Sequence, residues 1–390
     1  MKNIKNSKLI ILFITICSLT INIVWILSDG WFEFTIAKTK YIERNESQLQ
    51  PNIPQFKKEL LAASMKMLSS EKLSPKPLPY KHSTIKNNFN YNIKGYDNNT
   101  SLFHWGGGWL MYTMLESTSN SYDSTLISKI AKIFDEKVMN EPIYEVDQSL
   151  FGISAIILYK QTKMDKYKTY ANNLFHWLQK RDTPLGIPYR PNIDINLIDG
   201  LGMYNPFLIY YSKAYNDSSA YKLAIKQSEL FIKYAVDAET GICSHGYRII
   251  PPYIKVGSSN WGRGNSWYVL GICDININDL SPLAKHKISL LNKTLIELWN
   301  KEQSFSRYIG ENGKEDISTT LPILYYLHKH ALIKLTKKQV LNYSKYMHDG
   351  IMYNGSGECG GSNHYSDYSG SSPLTQAMMI LLINTIQTTD

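Results

Sequence analysis

Acidic side chains stand at the start of several strongly apolar stretches of this chain. Asp147 lies in Tyr-Glu-Val-Asp-Gln just before one stretch, and Asp199 in Asp-Gly-Leu-Gly-Met opens the next. Two facing carboxylates can divide general-acid and general-base duties, because burial and mutual repulsion separate their pKa values. An alternative is helix capping, since Asp is common at helix N-termini, and it applies to Asp147, Asp199 and Asp316 alike.

A second group of polar and aromatic residues surrounds one arginine. Arg263 lies in Trp-Gly-Arg-Gly-Asn-Ser-Trp between Trp261 and Trp267, and the flanking glycines let the backbone approach closely. A guanidinium in this setting needs an anion, either a carboxylate of the protein or a carboxylate of a ligand. The tryptophans, with Trp105, suit either a hydrophobic core or a sugar platform. His245 lies in Ser-His-Gly-Tyr without an apolar stripe, which favours a polar role.

The elements that must position these residues are helical. About a dozen segments carry apolar residues at three-to-four spacing, whereas sustained strand alternation is absent from the pattern. The predicted helices span residues 56–69, 103–117, 123–139, 148–161, 165–181, 203–215, 218–236, 264–277, 283–300, 317–330, 336–348 and 373–387.

Segments that are apolar on all sides alternate with amphipathic ones, at intervals of roughly 40–60 residues. This alternation predicts a toroid of helix hairpins with buried inner and half-buried outer helices. Six hairpins would close it as an all-α (α/α)6 barrel. Because the inner helices of a toroid run in the same direction, the polar clusters that precede them should meet at one end, as in a carbohydrate cleft.

The N-terminus reads as a membrane anchor. Lys2, Lys5 and Lys8 precede an apolar run over residues 9–27, which at about 1.5 Å per residue approaches the ~30 Å of a hydrocarbon core. We therefore expect a cytoplasmic basic tail (1–8), a transmembrane signal anchor (9–27), a stalk (28–54) and a folded domain (55–390). Since lysines stay cytoplasmic, the domain would lie on the outer side of the cytoplasmic membrane. A cleaved signal and a buried soluble helix are the alternatives.

Composition excludes several classes of protein. Among 390 residues, 43% are hydrophobic, so the chain is not wholly disordered. The net charge is +9, but no zinc-finger, RNP or Lys/Arg-run signature indicates a nucleic-acid partner. Cys17 lies in the apolar run, and Cys243, Cys273 and Cys359 are widely spaced without a Cys-x-x-Cys pair. The sequence thus predicts no metal site and no disulfide framework.

Three segments taken together resemble a known family. They are Asp199-Gly-Leu-Gly-Met203 followed by Pro206-Phe-Leu208, then Ser244-His-Gly246, then Trp261-Gly-Arg-Gly-Asn-Ser-Trp267. This pattern is similar to the unsaturated glucuronyl and rhamnogalacturonyl hydrolases, glycoside hydrolase families 88 and 105, over roughly residues 55–390. The resemblance implies an (α/α)6 barrel, in agreement with the helix count, and an enzyme without metal or organic cofactor.

The resemblance also implies a substrate and a reaction. The substrate would be an acidic oligosaccharide with a non-reducing 4-deoxy-4,5-unsaturated uronic acid, the end that a polysaccharide lyase leaves. The residue at the position of Asp199 acts in the family as general acid and base, protonating C4 and activating water for attack at C5. Asp147 matches a second acidic position that contacts the uronate ring.

The remaining expected site residues bind substrate. By the same resemblance, His245 and Arg263 lie near polar groups of the sugar, and Trp261 and Trp267 form stacking walls. Trp105 and Met203 complete the expected substrate-binding set.

Two other functions fit the pattern. One is a toroid glycosidase that acts on saturated capsule or exopolysaccharide chains. The other is a non-catalytic glycan-binding or assembly factor, which would tolerate loss of its carboxylates. A membrane tether slightly favours these two functions over the unsaturated uronyl hydrolase activity, because hydrolases of that family are usually soluble.

Overall fold

The computed structural model describes residues 2–25, 52–69, 102–118, 123–190, 193–357, 359, 361–363, 365 and 369–387. Helices dominate these ranges, and short strands lie in the connections. The helices are α1 (Lys2–Trp25), α2 (Ile53–Ser69), α3 (Trp105–Thr118), α4 (Ser124–Lys137), α5 (Ser149–Thr162), α6 (Asp165–Arg181), α7 (Ile198–Tyr215), α8 (Ser218–Tyr234), α9 (Gly262–Ile272), α10 (Pro282–Glu302), α11 (Ile317–Lys329), α12 (Lys337–Leu341) and α13 (Pro373–Gln387). The strands are β1 (Ile195–Leu197), β2 (Gly246–Arg248), β3 (Lys255–Val256), β4 (Met347–His348), β5 (Ile351–Met352), β6 (Gly355–Ser356) and β7 (Ser369–Gly370).

Six of these helices form a closed ring. Contacts run from α3 to α5, α7, α9, α11 and α13, and α13 contacts α3 again. The ring helices are apolar on nearly every side, so that every residue from 149 to 158 in α5 and from 317 to 327 in α11 is buried. Removal of this apolar surface from water is the main force that holds the ring together. The arrangement agrees with the predicted all-α toroid.

Outer helices cover the ring with one face only. In α4, for example, the described buried residues are Ile127, Ile130 and Phe134, which recur at helical spacing. Helix α4 contacts α3, α6 contacts α5, and α8 contacts α7. Side chains cap several outer helices: Asp123 accepts backbone N–H bonds at the start of α4, Asp217 does so at α8, and Ser281 does so at α10. The inner and outer helices therefore alternate as the sequence predicts.

Most helix limits agree with the prediction within a few residues, and three do not. The helix predicted over 264–277 ends at Ile272, five residues early. Helix α7 starts at Ile198, five residues before the predicted start at 203, because the Ile198 N–H donates to the His245 carbonyl at 2.8 Å. The helix predicted over 336–348 ends at Leu341 and continues as a 3-10 turn over Asn342–Tyr346.

One buried glutamine joins the two ends of the folded chain. Gln376 of α13 donates to the carbonyl oxygens of Leu60 in α2 at 3.1 Å and of Gly350 at 2.8 Å. Its Oε1 accepts from the Met352 N–H at 2.9 Å. A fully buried amide is stable only with its hydrogen bonds made, so Gln376 fixes how α13 closes the ring.

The predicted transmembrane anchor is not supported. A helix does form over Lys2–Trp25, and its described apolar side chains are exposed, Ile10 at 59% for example. However, among the described residues no helix combines the length and apolar character needed to cross a membrane. Thr15, Ser18, Thr20 and Asn22 interrupt the apolar run. Residues 28–51 of the predicted stalk lie outside the described ranges, and the domain division and the outer-side location stay predictions.

Candidate active site

A strand pair brings Asp199 and His245 together. β1 and β2 are antiparallel with Leu197 opposite Gly246, so the residues just after β1 and just before β2 are neighbours. Asp199, in the first turn of α7, then lies with its Oδ2 atom 2.9 Å from Nε2 of His245. The His245 side chain is fully buried, whereas that of Asp199 keeps 13% of its surface exposed. The contact brings these two distant segments together.

The C-terminal part of the chain holds the other edge of the His245 ring. Nδ1 of His245 lies 3.1 Å from the Tyr365 hydroxyl oxygen, which also accepts the Ser258 N–H at 2.8 Å. The same hydroxyl donates to the Ser362 carbonyl at 2.7 Å. Burial lowers the pKa of His245, but the negative charge and hydrogen bond of Asp199, followed by smaller contributions from Cys359, more than offset this and raise it to about 10. His245 is therefore protonated at neutral pH and shares its Nε2 proton with Asp199.

Asp147 has a different environment. It lies in the 3-10 turn over Val146–Gln148 that leads into α5 and is 1% exposed. Burial raises its pKa from the usual 3.8 to about 6, although His104 opposes the shift. Nε2 of His104 lies 3.3 Å from Asp147 Oδ2, while Oδ1 accepts no hydrogen bond from the described residues. Near neutral pH this carboxyl exchanges a proton readily.

Tyr189 connects the two acidic residues. Burial raises the pKa of Tyr189 well above its usual range, and the charges of Asp147 and Asp199 raise it further. The Tyr189 ring also lies next to Gly200, where an added Cβ would meet its Cδ2 at 3.5 Å and Val146 Cγ2 at the same distance. Since Gly200 adjoins Asp199 and Val146 adjoins Asp147, the two carboxylates belong to one region of the ring end.

Tryptophans line the ring beside these acids. The Trp105 and Trp267 rings meet edge to face with centroids 5.5 Å apart, and Trp109 lies 6.5 Å from Trp267. The indole N–H groups of Trp109 and Trp267 are buried without a hydrogen-bond partner among the described residues. Buried donors of this kind usually bind water or a ligand. On the other side, Trp261 packs on His245 with centroids 4.5 Å apart.

Arg263 carries a buried charge that no described carboxylate neutralises. It is 3% exposed, its Nη1 donates to the Ser356 carbonyl at 2.7 Å, and its Nε has no partner. The guanidinium lies 5.3 Å from the Trp261 ring centroid, a cation–π contact. The backbone approaches its neighbours closely at the flanking glycines, as expected: a Cβ on Gly262 would meet the Thr319 side chain at 2.4 Å. Of the two anions that the sequence allowed, the geometry favours one from a ligand.

The capping interpretation holds for one acidic residue out of three. Asp316 caps α11, where its carboxylate accepts the Ser318 and Ser356 N–H groups at 2.9 and 3.0 Å. Neither Asp147 nor Asp199 occupies an N-cap position: that of α7 is Leu197, with no side-chain cap. These two carboxylates are therefore available for chemistry.

The eight predicted site residues do not all meet. His104 joins Asp147 to Trp105 and Trp267 in one group. Asp199, His245, Trp261 and Arg263 form another, and Tyr189 lies between the two acids. Met203 is 1% exposed within α7, and its predicted substrate contact stays a prediction. Asp199 is the one member of the eight that is not classed as buried.

Sequence reasoning missed several side chains of this region. None of His104, Tyr189 and Tyr365 is among the predicted site residues. Cys359 was not predicted to belong to the site either, but it is half-buried, and its Sγ lies within 4.8 Å of donor atoms of Asp199 and His245. No signal in the sequence pairs Tyr365 or Cys359 with His245, because more than 100 positions separate them.

A family model for Glycosyl Hydrolase Family 88 matches residues 81–376, about three quarters of the chain. The chain belongs to this family. This family 88 protein is therefore a glycoside hydrolase, as the sequence resemblance predicts, and an oligosaccharide is its class of substrate.

Solved structures share its fold. A possible member of family 105 from Klebsiella pneumoniae is 19% identical with a TM-score of 0.64, covering 74% of this chain and 83% of that one. The unsaturated glucuronyl hydrolase from Bacillus sp. GL1, responsible for the degradation of glycosaminoglycan, is 14% identical with a TM-score of 0.61 over 85% and 96%. An α-1,6-mannanase of family GH76 from Salegentibacter is 12% identical with a TM-score of 0.55 over 85% and 99%.

Proposed function

We propose that this family 88 protein hydrolyses oligosaccharides that carry a non-reducing 4,5-unsaturated uronic acid. The observation that carries the proposal is Arg263, whose buried guanidinium lacks a carboxylate partner among the described residues. A uronate carboxylate supplies that missing charge and accepts two parallel hydrogen bonds from a guanidinium. A neutral sugar would leave the charge unpaired, which is costly in a buried site.

Asp199 is the group that moves the proton in this proposal. Asp199 gives C4 the proton that it shares with Nε2 of His245, the double-bond electrons form the new C4–H bond, and C5 gains oxocarbenium character. Water then attacks C5 and returns its proton to the Asp199–His245 pair. The resulting hemiketal opens and releases the neighbouring sugar, so that one water is consumed and the pair again holds one shared proton.

Two neighbours support that role. His245, 2.9 Å from Asp199, holds a proton on Nε2 that it can share with the carboxylate, and it fixes the orientation of the group that reacts. Asp147 exchanges its proton near pH 6, which suits a hydrogen bond to a ring hydroxyl. The indole faces around them exclude water, which strengthens each of these interactions.

The test follows the conjugated double bond directly. Unsaturated disaccharides from lyase digestion of several acidic polysaccharides are incubated with the protein, and loss of the ultraviolet absorbance of the double bond is recorded. We expect loss with at least one disaccharide for the wild-type protein and none for Asp199→Asn. A matched substitution, Asp274→Asn, lies at the other end of the ring and should keep the activity.

Two results would contradict the proposal. One is release of reducing sugar from intact saturated polymer with no absorbance change on any lyase product, which would indicate a glycosidase for saturated chains. The other is glycan binding that persists in Asp199→Asn and Asp147→Asn without any hydrolysis by the wild-type protein.

A further inference from the structure

A thiol, an imidazole and a carboxylate meet at the candidate active site. One ligand atom each from Asp199, His245 and Cys359 lie within 4.8 Å of one another. They come from three separate parts of the chain: the start of α7, the residue before β2, and the segment after β6. Cys359 is not part of the family pattern described above, so this grouping is a property of this chain's own C-terminal segment.

The types of ligand indicate which ion the cluster would hold. Ca²⁺ and Mg²⁺ prefer all-oxygen sites, whereas sulfur and imidazole nitrogen together favour Zn²⁺. Bonds of about 2.0 to 2.3 Å to a tetrahedral zinc separate its ligand atoms by roughly 3.3 to 3.8 Å. Oδ2 of Asp199 and Nε2 of His245 are 2.9 Å apart, so shifts of roughly 1 Å would bring the three ligands into that range.

The surroundings of His245 are those of a supported metal ligand. Metal-binding histidines usually hold their second ring nitrogen in a hydrogen bond, which fixes the ring. Nδ1 of His245 lies 3.1 Å from the Tyr365 hydroxyl, which in turn accepts from Ser258 and donates to Ser362. Nε2 faces Asp199, so the nitrogen aimed at the cluster is the one left for a metal.

We propose that Asp199, His245 and Cys359 bind one zinc ion, with a fourth position open to water, and that the bound zinc inhibits the hydrolase. The ion would occupy the carboxylate and the imidazole that exchange the reacting proton, so the acid is lost while zinc is present. The inhibition rests on the proposed function; the binding does not.

Binding is measured first and without substrate. Purified full-length protein is stripped of metal with a chelator and titrated with Zn²⁺ by isothermal calorimetry, next to the variants Cys359→Ser and Cys17→Ser. Cys17 is the matched control because it is a half-buried thiol on the separate helix α1. We expect one zinc per chain for wild type and Cys17→Ser, and an affinity at least about tenfold weaker for Cys359→Ser.

Co²⁺ replaces Zn²⁺ in a second measurement, because a cysteine-bound cobalt ion absorbs in the near ultraviolet through sulfur-to-metal charge transfer. That band should appear in wild type and Cys17→Ser and be absent in Cys359→Ser. Equal zinc affinity in wild type and Cys359→Ser, or a cobalt band that survives the Cys359 substitution, would overturn the site. So would the absence of zinc binding to the wild-type protein at micromolar concentrations.

Inhibition is measured last, as the ratio of activity with and without Zn²⁺ for each protein. We expect zinc to inhibit wild type and Cys17→Ser at least tenfold, and Cys359→Ser much less. If zinc binds through Cys359 but no unsaturated substrate is cleaved, the proposed function fails and the metal site stands. If hydrolysis proceeds and bound zinc leaves its rate unchanged, the inhibitory role fails.

Discussion

At the end of the ring where the inner helices begin, two carboxylates pair with histidines, Asp199 with His245 at 2.9 Å and Asp147 with His104 at 3.3 Å. At the end where those helices finish, Asp274 pairs with lysines instead. Lys329 Nζ lies 2.8 Å from Asp274 Oδ1, and Lys213 Nζ lies 3.8 Å from the same oxygen. Similar acidic residues thus have partners of different chemistry at the two ends of one set of helices.

Helix direction explains part of this difference. The N-terminal end of a helix carries a partial positive charge and favours carboxylates, while its C-terminal end favours lysines. Lys213 and Lys329 lie in the last turns of α7 and α11, whereas Asp199 lies in the first turn of α7. A lysine fixes its carboxylate as an ion pair, whereas His245 shares its Nε2 proton with the Asp199 carboxylate 2.9 Å away. The comparison indicates that one end stabilises and the other reacts.

The largest effect should come from Asp199→Asn. This near-isosteric change removes the proton donor, so we expect kcat/KM on an unsaturated disaccharide to fall by about 10³-fold. The same substitution at the opposite end, Asp274→Asn, should keep kcat/KM within about twofold, because Asp274 only neutralises lysines. Similar losses in the two variants, both folded by circular dichroism, would remove the functional distinction between the ends.

The second effect is on stability and depends on pH. The folded-state pKa of Asp147 is raised to about 6. The stabilisation that this shift gives the folded protein is therefore fully present below about pH 4 and is lost as the pH rises through 6. In that window the unfolded chain releases the proton and the folded one keeps it. The unfolding free energy of the wild type minus that of Asp147→Asn should therefore fall by up to about 3 kcal/mol as pH rises from 4 to 7. Urea unfolding at pH 4, 5, 6 and 7 measures it, and parallel curves would refute the assignment.

A third, smaller effect is expected from Tyr365→Phe. The change removes the hydroxyl that contacts His245 and accepts from Ser258, so the His245–Asp199 pair is less well oriented. We expect kcat to fall by about tenfold with KM changed less than about twofold, since orientation acts mainly on the reacting state. Tyr253→Phe, at an exposed tyrosine, serves as control. A rise in KM alone would place Tyr365 in substrate binding instead.

The smallest effect should come from Lys329→Met at the opposite end. It breaks the ion pair with Asp274, in which the two side chains are 30% and 37% exposed. We expect a loss of about 1 kcal/mol in unfolding free energy and an unchanged kcat. A marked loss of kcat with the fold intact would show that the lysine end also contributes to the reaction.

The helices could be predicted because apolar periodicity records burial directly. The all-apolar segments lie in the ring and the amphipathic ones outside it, within a few residues of the expected limits. The strands could not be predicted, since two or three residues are too few to show alternation. The anchor was predicted from length and composition, and no helix in the described part of the chain meets the requirement for a span.

Site residues within one motif could be recognised, whereas pairings across the ring could not. Asp199, His245 and Arg263 each belong to a short segment with a characteristic sequence motif. The partner of Asp147, His104, comes from the preceding hairpin, and Tyr365 and Cys359 come from the C-terminal segment. Such contacts depend on how the ring closes, and local sequence carries no record of this.

Ring closure by α13 also sets when the enzyme can first work. The helix that completes the circle is made after every other, and Gln376 reaches back to Leu60 across nearly the whole polypeptide. The hydrogen bond of Arg263 to the Ser356 carbonyl and the contact of His245 with Tyr365 also require residues that are synthesised late. A nascent chain therefore lacks the closed ring around its candidate site until α13 has been synthesised and has packed against α3 and α11.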